Sequence, residues 1–346
     1  MTRLMGAQDG IADRETHAAQ SSVHAIFDHA RSDGRPVYVL APMVRYSKLP
    51  FRLLAREYNT DITYTPMILA HEFIRSSIAR DSDFTTCELE RQRTPDGRQH
   101  ALVAQFASSD PIEFARAAEL IAPWVDGVDL NCGCPQSWAI KEGIGCSLMQ
   151  RPELVAEMVK SAKARLGPSK TVSVKIRISK DLSETQRWIR VVEAAGVDFI
   201  TIHGRTKSQR SSTPPDYEAI RSLIAGAKVP ILANGDANHP SVLAEIITKT
   251  CAAGTMSARG ILENPTVFAS LAVTPVESVQ KFMKYAVKHP IPFPLLLHHL
   301  SEMSAGVKGM NKKEKSRLMA CRDLFDAIDF VEEKWGLGDF HDQTKS

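Results

Sequence analysis

Eight short β-rich runs alternate with helical segments between Val37 and Ser257, several of the runs are mostly apolar without clean alternation, and no G-x-G-x-x-G follows the first of them. Together these observations predict a (β/α)₈ (TIM) barrel of parallel strands covered on both faces, not an open doubly wound sheet. After Thr274 the pattern is helical only, which adds a smaller all-helical C-terminal domain.

The strand runs are Val37 to Leu40, Asp61 to Thr65, Ala101 to Phe106, Gly127 to Asn131, Thr171 to Ile178, Asp198 to Ile202, Val229 to Ala233 and Gly254 to Ser257. Helix starts stand between them: Asp110 as N-cap with Pro111 behind it, Pro152, and Ser183 followed by Gln186 as a capping box. Residues 1–35 are polar apart from a short helical stretch near Val23 to Ala30 and read as a loosely attached lead-in. The catalytic barrel is expected over 36–273 and the helical domain over 274–346. In that last part charge is segregated. Lys281 to Arg322 carries nine Lys or Arg against Glu302 and Glu314, whereas Asp323 to Asp342 carries seven acids against Lys334. The basic stretch reads either as solvated helix faces or as a surface for a phosphate backbone.

Composition narrows the class. With 43% hydrophobic and 24% charged residues in 346, fibrous and disordered classes are excluded, and the length suffices for a sizeable core. No apolar run approaches the roughly 20 residues of a bilayer span. The first 20 residues lack an apolar centre and carry Asp9, Asp13 and Glu15, so cytoplasmic or nuclear residence is expected. Six cysteines in so long a chain suggest reduced thiols, not a disulfide framework. A net charge of +3 says little about partners, so any polyanion site must come from local clustering.

A parallel barrel places its chemistry where strands end. The ends here read Ala41-Pro42-Met43, Gln105, Asn131-Cys132-Gly133-Cys134-Pro135, Lys175-Ile176-Arg177, His203-Gly204-Arg205-Thr206, Asn234-Gly235-Asp236 and Ser257-Ala258-Arg259-Gly260. Amide, amine and imidazole groups suit a planar polar ligand, and glycine turns after the last two strands offer N–H groups to a phosphate. Flavin mononucleotide (FMN) meets both requirements, its ring edge on Gln105 and Lys175 and its phosphate over Gly235 and Gly260 with Arg259 beside it. Singly, Gln105 could bond local backbone and Asn234-Gly235 could be an ordinary turn. Lys175 lies inside an apolar run and should meet an anion: a reduced flavin, or a carboxylate in a structural ion pair.

Cys132, Cys134 and Cys146 invite a metal reading, but the close pair is one residue apart and a fourth ligand would have to be the remote Cys87, so none is expected. Cys134, between Gly133 and Pro135 on the loop leaving the fourth strand, is better placed as a reactive thiol. A cysteine is ordinarily mostly protonated near neutral pH and can donate a proton without tuning. The alternative is an inert, half-buried thiol.

The block Asp129-Leu130-Asn131-Cys132-Gly133-Cys134-Pro135-Gln136, together with Ala41-Pro42-Met43, Val174 to Arg177, Ile202 to Thr206 and Asn234-Gly235-Asp236, resembles the tRNA-dihydrouridine synthases, in order over about residues 36–270. The stretch Asn131 to Cys146 is most similar to the eukaryotic class acting at D-loop positions 20a and 20b. The resemblance implies an FMN-bearing barrel followed by a helical domain that grips tRNA, with NADPH or NADH as reductant. It assigns Pro42, Met43, Gln105, Lys175, His203, Asn234, Gly235, Asp236, Ala258 and Arg259 to FMN, Asn131 and Arg177 to the uridine, and Cys134 to proton donation. One departure stands out: Ala253-Gly254 replaces the family's usual Asp-Gly pair, so no role is expected at position 253. A monomer is expected. The competing reading is an FMN oxidoreductase of a free pyrimidine, dihydroorotate dehydrogenase-like, which needs no polyanion surface.

Overall fold

The structure, a computed structural model, describes residues 21–93 and 97–337. Its strands are β1 (Val37–Leu40), β2 (Ile62–Tyr64), β3 (Ile68–Leu69), β4 (Ala101–Ala107), β5 (Gly127–Cys132), β6 (Thr171–Arg177), β7 (Phe199–His203), β8 (Ile231–Asn234) and β9 (Gly254–Ser257). All pairings are parallel. Pairing of β1 with β9 and of β2 with β4 closes eight of them into a barrel, and the two-residue β3 only extends the edge of β4. Each expected run thus became a barrel strand, with ends moved by at most two residues.

The strands are buried on both faces. Leu102, Leu130, Val174 and Ile202 point outward into the helix layer, where they share one apolar cluster with Phe114, Val159 and Trp188. Val37, Val39, Ile62, Val103, Phe199, Leu232 and Met256 fill the interior. Gly254 is explained by this packing: a Cβ there would stand 2.2 Å from the Val37 carbonyl, so the N-terminal end of β9 could not lie against β1.

The barrel floor rests on three aspartates, each just before a strand and accepting a backbone N–H from the neighbouring strand. Asp61 takes that of Tyr38 at 2.8 Å, Asp126 that of Leu102 at 2.8 Å and Asp198 that of Val172 at 2.6 Å. Helix Ser22–Ser32 covers this floor. Its Val23, Ile26, Phe27 and Ala30 join the interior cluster, Phe27 packs on Phe199 at 5.4 Å, and Ser22 donates to Asp126 at 2.6 Å. This part of the lead-in is therefore a plug and not a loose attachment, because its i, i+3, i+4, i+7 apolar stripe seals an otherwise open barrel end. The rest of the lead-in, residues 1–20, lies outside the described residues.

Helix caps mostly follow the sequence. Asp110 accepts the N–H groups of Ile112 and Glu113, each at 2.8 Å, and starts Pro111–Ile121. The expected capping box is corrected: Leu182–Ala194 is capped by Asp181, whose carboxylate takes the Ser183 N–H at 2.9 Å, so Ser183 lies inside the first turn. Aspartate and serine are comparable caps, and the earlier one prevailed.

Helices Val276–Lys288, Phe293–Met303, Lys312–Met319 and Leu324–Trp335 follow the barrel. Phe282 and His299 pack on Phe51 of helix Leu49–Arg56, at 6.3 and 4.8 Å, and His299 also meets Tyr46 of the loop after β1 at 5.4 Å. These helices thus sit on the β1 side of the barrel's C-terminal end.

Candidate active site

Register gathers the expected residues at the C-terminal ends of the strands. Gln105 stands opposite Asp129, Asn131 opposite Lys175, Arg177 opposite His203, and His203 opposite Asn234. Because side chains alternate along a strand, Asp129 and Asn131, Ser173, Lys175 and Arg177, and Thr201 and His203 all face inward.

Among the described residues Lys175 forms no salt bridge, although the charge of Asp129 acts on it. Its ammonium donates to Asn234 Oδ1 at 2.9 Å, while Asn234 Nδ2 donates to the Met256 carbonyl at 2.9 Å. Burial, aided by Arg177, pushes Lys175 down to about 8, so it stays a cation at neutral pH. His203 is the neutral member of the cluster. Burial first, then Lys175, Arg177, Arg205 and Arg259, pushes it down to about 2. Since a guanidinium only donates, the 3.1 Å contact of Arg205 Nη1 with His203 Nε2 makes that nitrogen the acceptor and places the imidazole proton on Nδ1. Asp236, in a left-handed conformation at φ 46°, ties Arg205 and Arg259 together.

A cavity of about 370 Å³ opens here, lined by His203, Asn234, Gly235, Asp236, Ala258 and Arg259 among others. Its floor is a turn no larger residue could build: Gly235 has φ 139° with Pro215 at 2.8 Å from a would-be Cβ, and a Cβ on Gly260 would fall 2.3 Å from the Ala237 carbonyl. Four cations around one neutral imidazole, an ammonium hydrogen-bonded to an amide, and close-packed glycine turns suit an anionic, planar cofactor; FMN fits this donor set. Pro42 and Met43 stand at the end of β1, where Ser47 Oγ accepts the Met43 N–H at 3.0 Å.

Cys134 sits on a clamped loop. Asn131 Oδ1 accepts the N–H groups of Gly133 and Cys134 at 3.1 and 2.9 Å, Arg177 Nε donates to the Gly133 carbonyl at 3.0 Å, and the Cys146 N–H donates to the Cys134 carbonyl at 2.9 Å. Arg177 Nη1 also holds the Thr206 carbonyl at 2.9 Å, so one guanidinium joins the loops after β5 and β7. Cys134 is half-buried, whereas Cys132 points outward into the helix layer, fully buried, its thiol pushed well up by burial. Burial also pushes Cys146 up to about 11. Among the described residues no group of three His, Cys, Asp or Glu could hold a metal ion. Arg177 lines a second cavity, of about 670 Å³, with Trp138, Lys207 and Arg210, open to larger ligands.

The structure thus brings the expected residues to one end of the barrel. Sequence reasoning missed Asp129, Ser173 and Arg205. Asp129 was legible as the inward partner of Asn131 at period two. Arg205, 2% exposed, carried no such signal, because its carboxylate partner Asp236 comes from another loop and the Thr213 carbonyl from a distant bend of its own.

Fold and mouth define a (β/α)₈-barrel enzyme with a cationic pocket and an accessible thiol. The model of the dihydrouridine synthase family matches residues 39–334, and the chain belongs to that family. It is 44% identical over 300 residues to the tRNA-dihydrouridine(20a/20b) synthase of Schizosaccharomyces pombe, covering 86% of this chain and 88% of that protein. It is 40% identical to the protein of that name from Saccharomyces cerevisiae, over 90% and 83% of the two chains, and 38% identical to the human tRNA-dihydrouridine(20a/20b) synthase-like protein, over 88% and 92%. All three names include NAD(P)+. Among solved structures, histamine dehydrogenase from Rhizobium sp. 4-9 superimposes with TM-score 0.52 at 12% identity over 72% of this chain, a likeness of fold alone. This chain spans 49% of that one.

Proposed function

We propose that this enzyme reduces uridine at positions 20a and 20b of the tRNA D loop to 5,6-dihydrouridine, with FMN as cofactor and NADPH, or NADH, as reductant. The observation that carries the reading is Cys134 held on a clamped loop at the same barrel end as Lys175 and neutral His203. FMN, when bound, would supply hydride chemistry at carbon 6 of the uracil, with the nicotinamide as the source of electrons. The chain's own residues do the rest. Lys175 and the Nδ1–H of His203 would hold the ring system, and Gly235, Ala258 and Arg259 would hold the phosphate, with Asp236 fixing Arg259. Gln105, Pro42 and Met43 complete the pocket. Arg177 and the remaining N–H of Asn131 face the uracil, and Cys134 delivers a proton to carbon 5.

A base inside folded tRNA must leave its stack to reach the barrel mouth, at a few kcal/mol offset by phosphate contacts. The described helices of the 274–346 part, from Val276 to Trp335, supply those contacts in this reading, with barrel 36–273 as the catalytic unit. Lys308, Lys312, Lys313 and Lys315 are exposed and held in no ion pair among the described residues. The test is twofold. The purified protein should be yellow with FMN bound, and with NADPH it should form dihydrouridine at 20a and 20b in tRNA from cells lacking this enzyme. A colourless protein that takes up no FMN, or unchanged tRNA, overturns the proposal.

A further inference from the structure

One hydrogen-bonded line crosses the barrel from its interior to the Cys134 loop. Tyr64 Oη lies 3.5 Å from Ser173 Oγ, and Ser173 donates to Asp129 Oδ1 at 2.6 Å. Gln105 Nε2 donates to Asp129 Oδ2 at 2.8 Å, Asn131 Nδ2 donates to Gln105 Oε1 at 2.9 Å, and Asn131 Oδ1 receives the N–H groups of Gly133 and Cys134. Asp129 is fully buried, and Gln105 is 1% exposed.

The polarity of this line is fixed at both ends. An ionised carboxylate only accepts and a backbone N–H only donates. Gln105 must therefore turn its NH₂ toward Asp129 and its oxygen toward Asn131, and Asn131 must turn its NH₂ to that oxygen and its own oxygen to the loop. Two amides that could each flip in isolation are locked in one orientation by a carboxylate three side chains from the thiol. Burying that carboxylate is unfavourable: desolvation pushes it up to about 6 despite the hydrogen bonds from Ser173 and Gln105.

We infer that Asp129 is a positioning residue: through the amide orientations of Gln105 and Asn131 it fixes the loop that carries Cys134. That Cys134 is the acid rests on the proposed reaction; the relay does not, so its readout is neither flavin chemistry nor tRNA modification. The experiment measures the rate at which iodoacetamide alkylates Cys134 in the full-length protein, with peptide mapping to separate it from the other cysteines. Asp129→Leu keeps the branched shape and removes the acceptor; Asp129→Asn keeps one acceptor oxygen; Gln105→Met breaks the middle link without touching the carboxylate.

Asp129→Leu and Gln105→Met should each speed alkylation by about tenfold, roughly the free energy of one hydrogen bond, while Asp129→Asn stays within about twofold of wild type. In an Asn131→Ala background, Asp129→Leu should add nothing further, since the link it acts through is gone. If Asp129→Leu does not fold, Gln105→Met and the Asn131→Ala cycle with it decide alone. Unchanged or slower alkylation, effects that multiply in the double variant, or equal behaviour of the Asn and Leu variants would each overturn the inference. Faster alkylation of Cys134 with uridine reduction unimpaired would instead count against Cys134 as the acid of the proposed reaction.

Discussion

Gly145 lies so close to Cys134 that a Cβ at position 145 would stand 2.6 Å from the Cys134 carbonyl oxygen and 2.9 Å from its Cβ, at a backbone φ of 62°. The cysteine loop is thus packed from behind by a residue that has no side chain. Gly145→Ala should push the loop out of place and slow uridine reduction by about 10²-fold, the scale of a 1 Å misplacement, with NADPH-driven flavin reduction unchanged. Stopped-flow traces of the two half-reactions give the answer.

In the proposed reaction Cys134→Ala removes the acid itself. FMN should remain bound and reducible, while uridine reduction falls about 10² to 10⁴-fold. Cys132→Ala should cost far less activity, because that thiol faces the helix layer and not the mouth. A similar loss in both variants, or slower FMN reduction, would show that the acid lies elsewhere.

The basic stretch of the C-terminal helices is not uniform. Lys281 is tied to Glu57 and Glu277 at 2.6 Å each, Arg317 to Glu333 at 2.7 Å and Arg322 to Asp326 at 3.1 Å. Lys-to-Glu changes at Lys308, Lys312, Lys313 and Lys315 should weaken tRNA binding and flatten its salt dependence, leaving flavin reduction intact. Filter-binding titrations at several salt concentrations measure both quantities, and an unchanged slope would mark these lysines as a solvated face.

Arg52 donates to both oxygens of Glu90, at 2.8 and 2.9 Å, with both residues 1% exposed. Its Nη1 also holds the Ser47 carbonyl at 2.8 Å, and Ser47 holds Met43. Glu90→Leu strands a buried guanidinium and should cost about 3–5 kcal/mol, whereas Arg52→Met with Glu90→Leu should recover most of it. Urea denaturation gives the stabilities. FMN affinity should fall with the single change, because the Met43 turn loses its support.

His299, fully buried among Tyr46, Phe51 and Phe282, is pushed down by burial to about 3. The unfolded chain takes up a proton below about 6.5 and the folded one does not until about 3, so stability falls as pH drops through that window, by up to about 1.4 kcal/mol per unit. His299→Leu should remove this slope, gaining about 2 kcal/mol relative to wild type between pH 6.5 and 4.5. Denaturant midpoints at the two values check it; the slope left over belongs to groups such as His203. An unaltered wild-type slope would mean that His299 is charged or solvated in the folded state.

Strand positions, the barrel class and the strand-end residues were legible in the sequence, because short apolar β-rich runs and turn chemistry are local properties. Asn131, Cys134, Lys175 and Asn234 could each be placed at a strand end without a structure. What only the tertiary structure decided is who meets whom. Lys175 rests on an amide 59 residues away, Arg205 on Asp236, and Asp129 on Gln105 and Ser173, four pairings set by barrel closure and strand register. The acidic and basic ends of the C-terminal region, segregated in sequence, partly neutralise each other because helix Leu324–Trp335 folds back on Lys312–Met319. The polar lead-in became a plug for the same reason: an apolar stripe of four residues gains its stability only from a barrel floor that exists once every strand is in place.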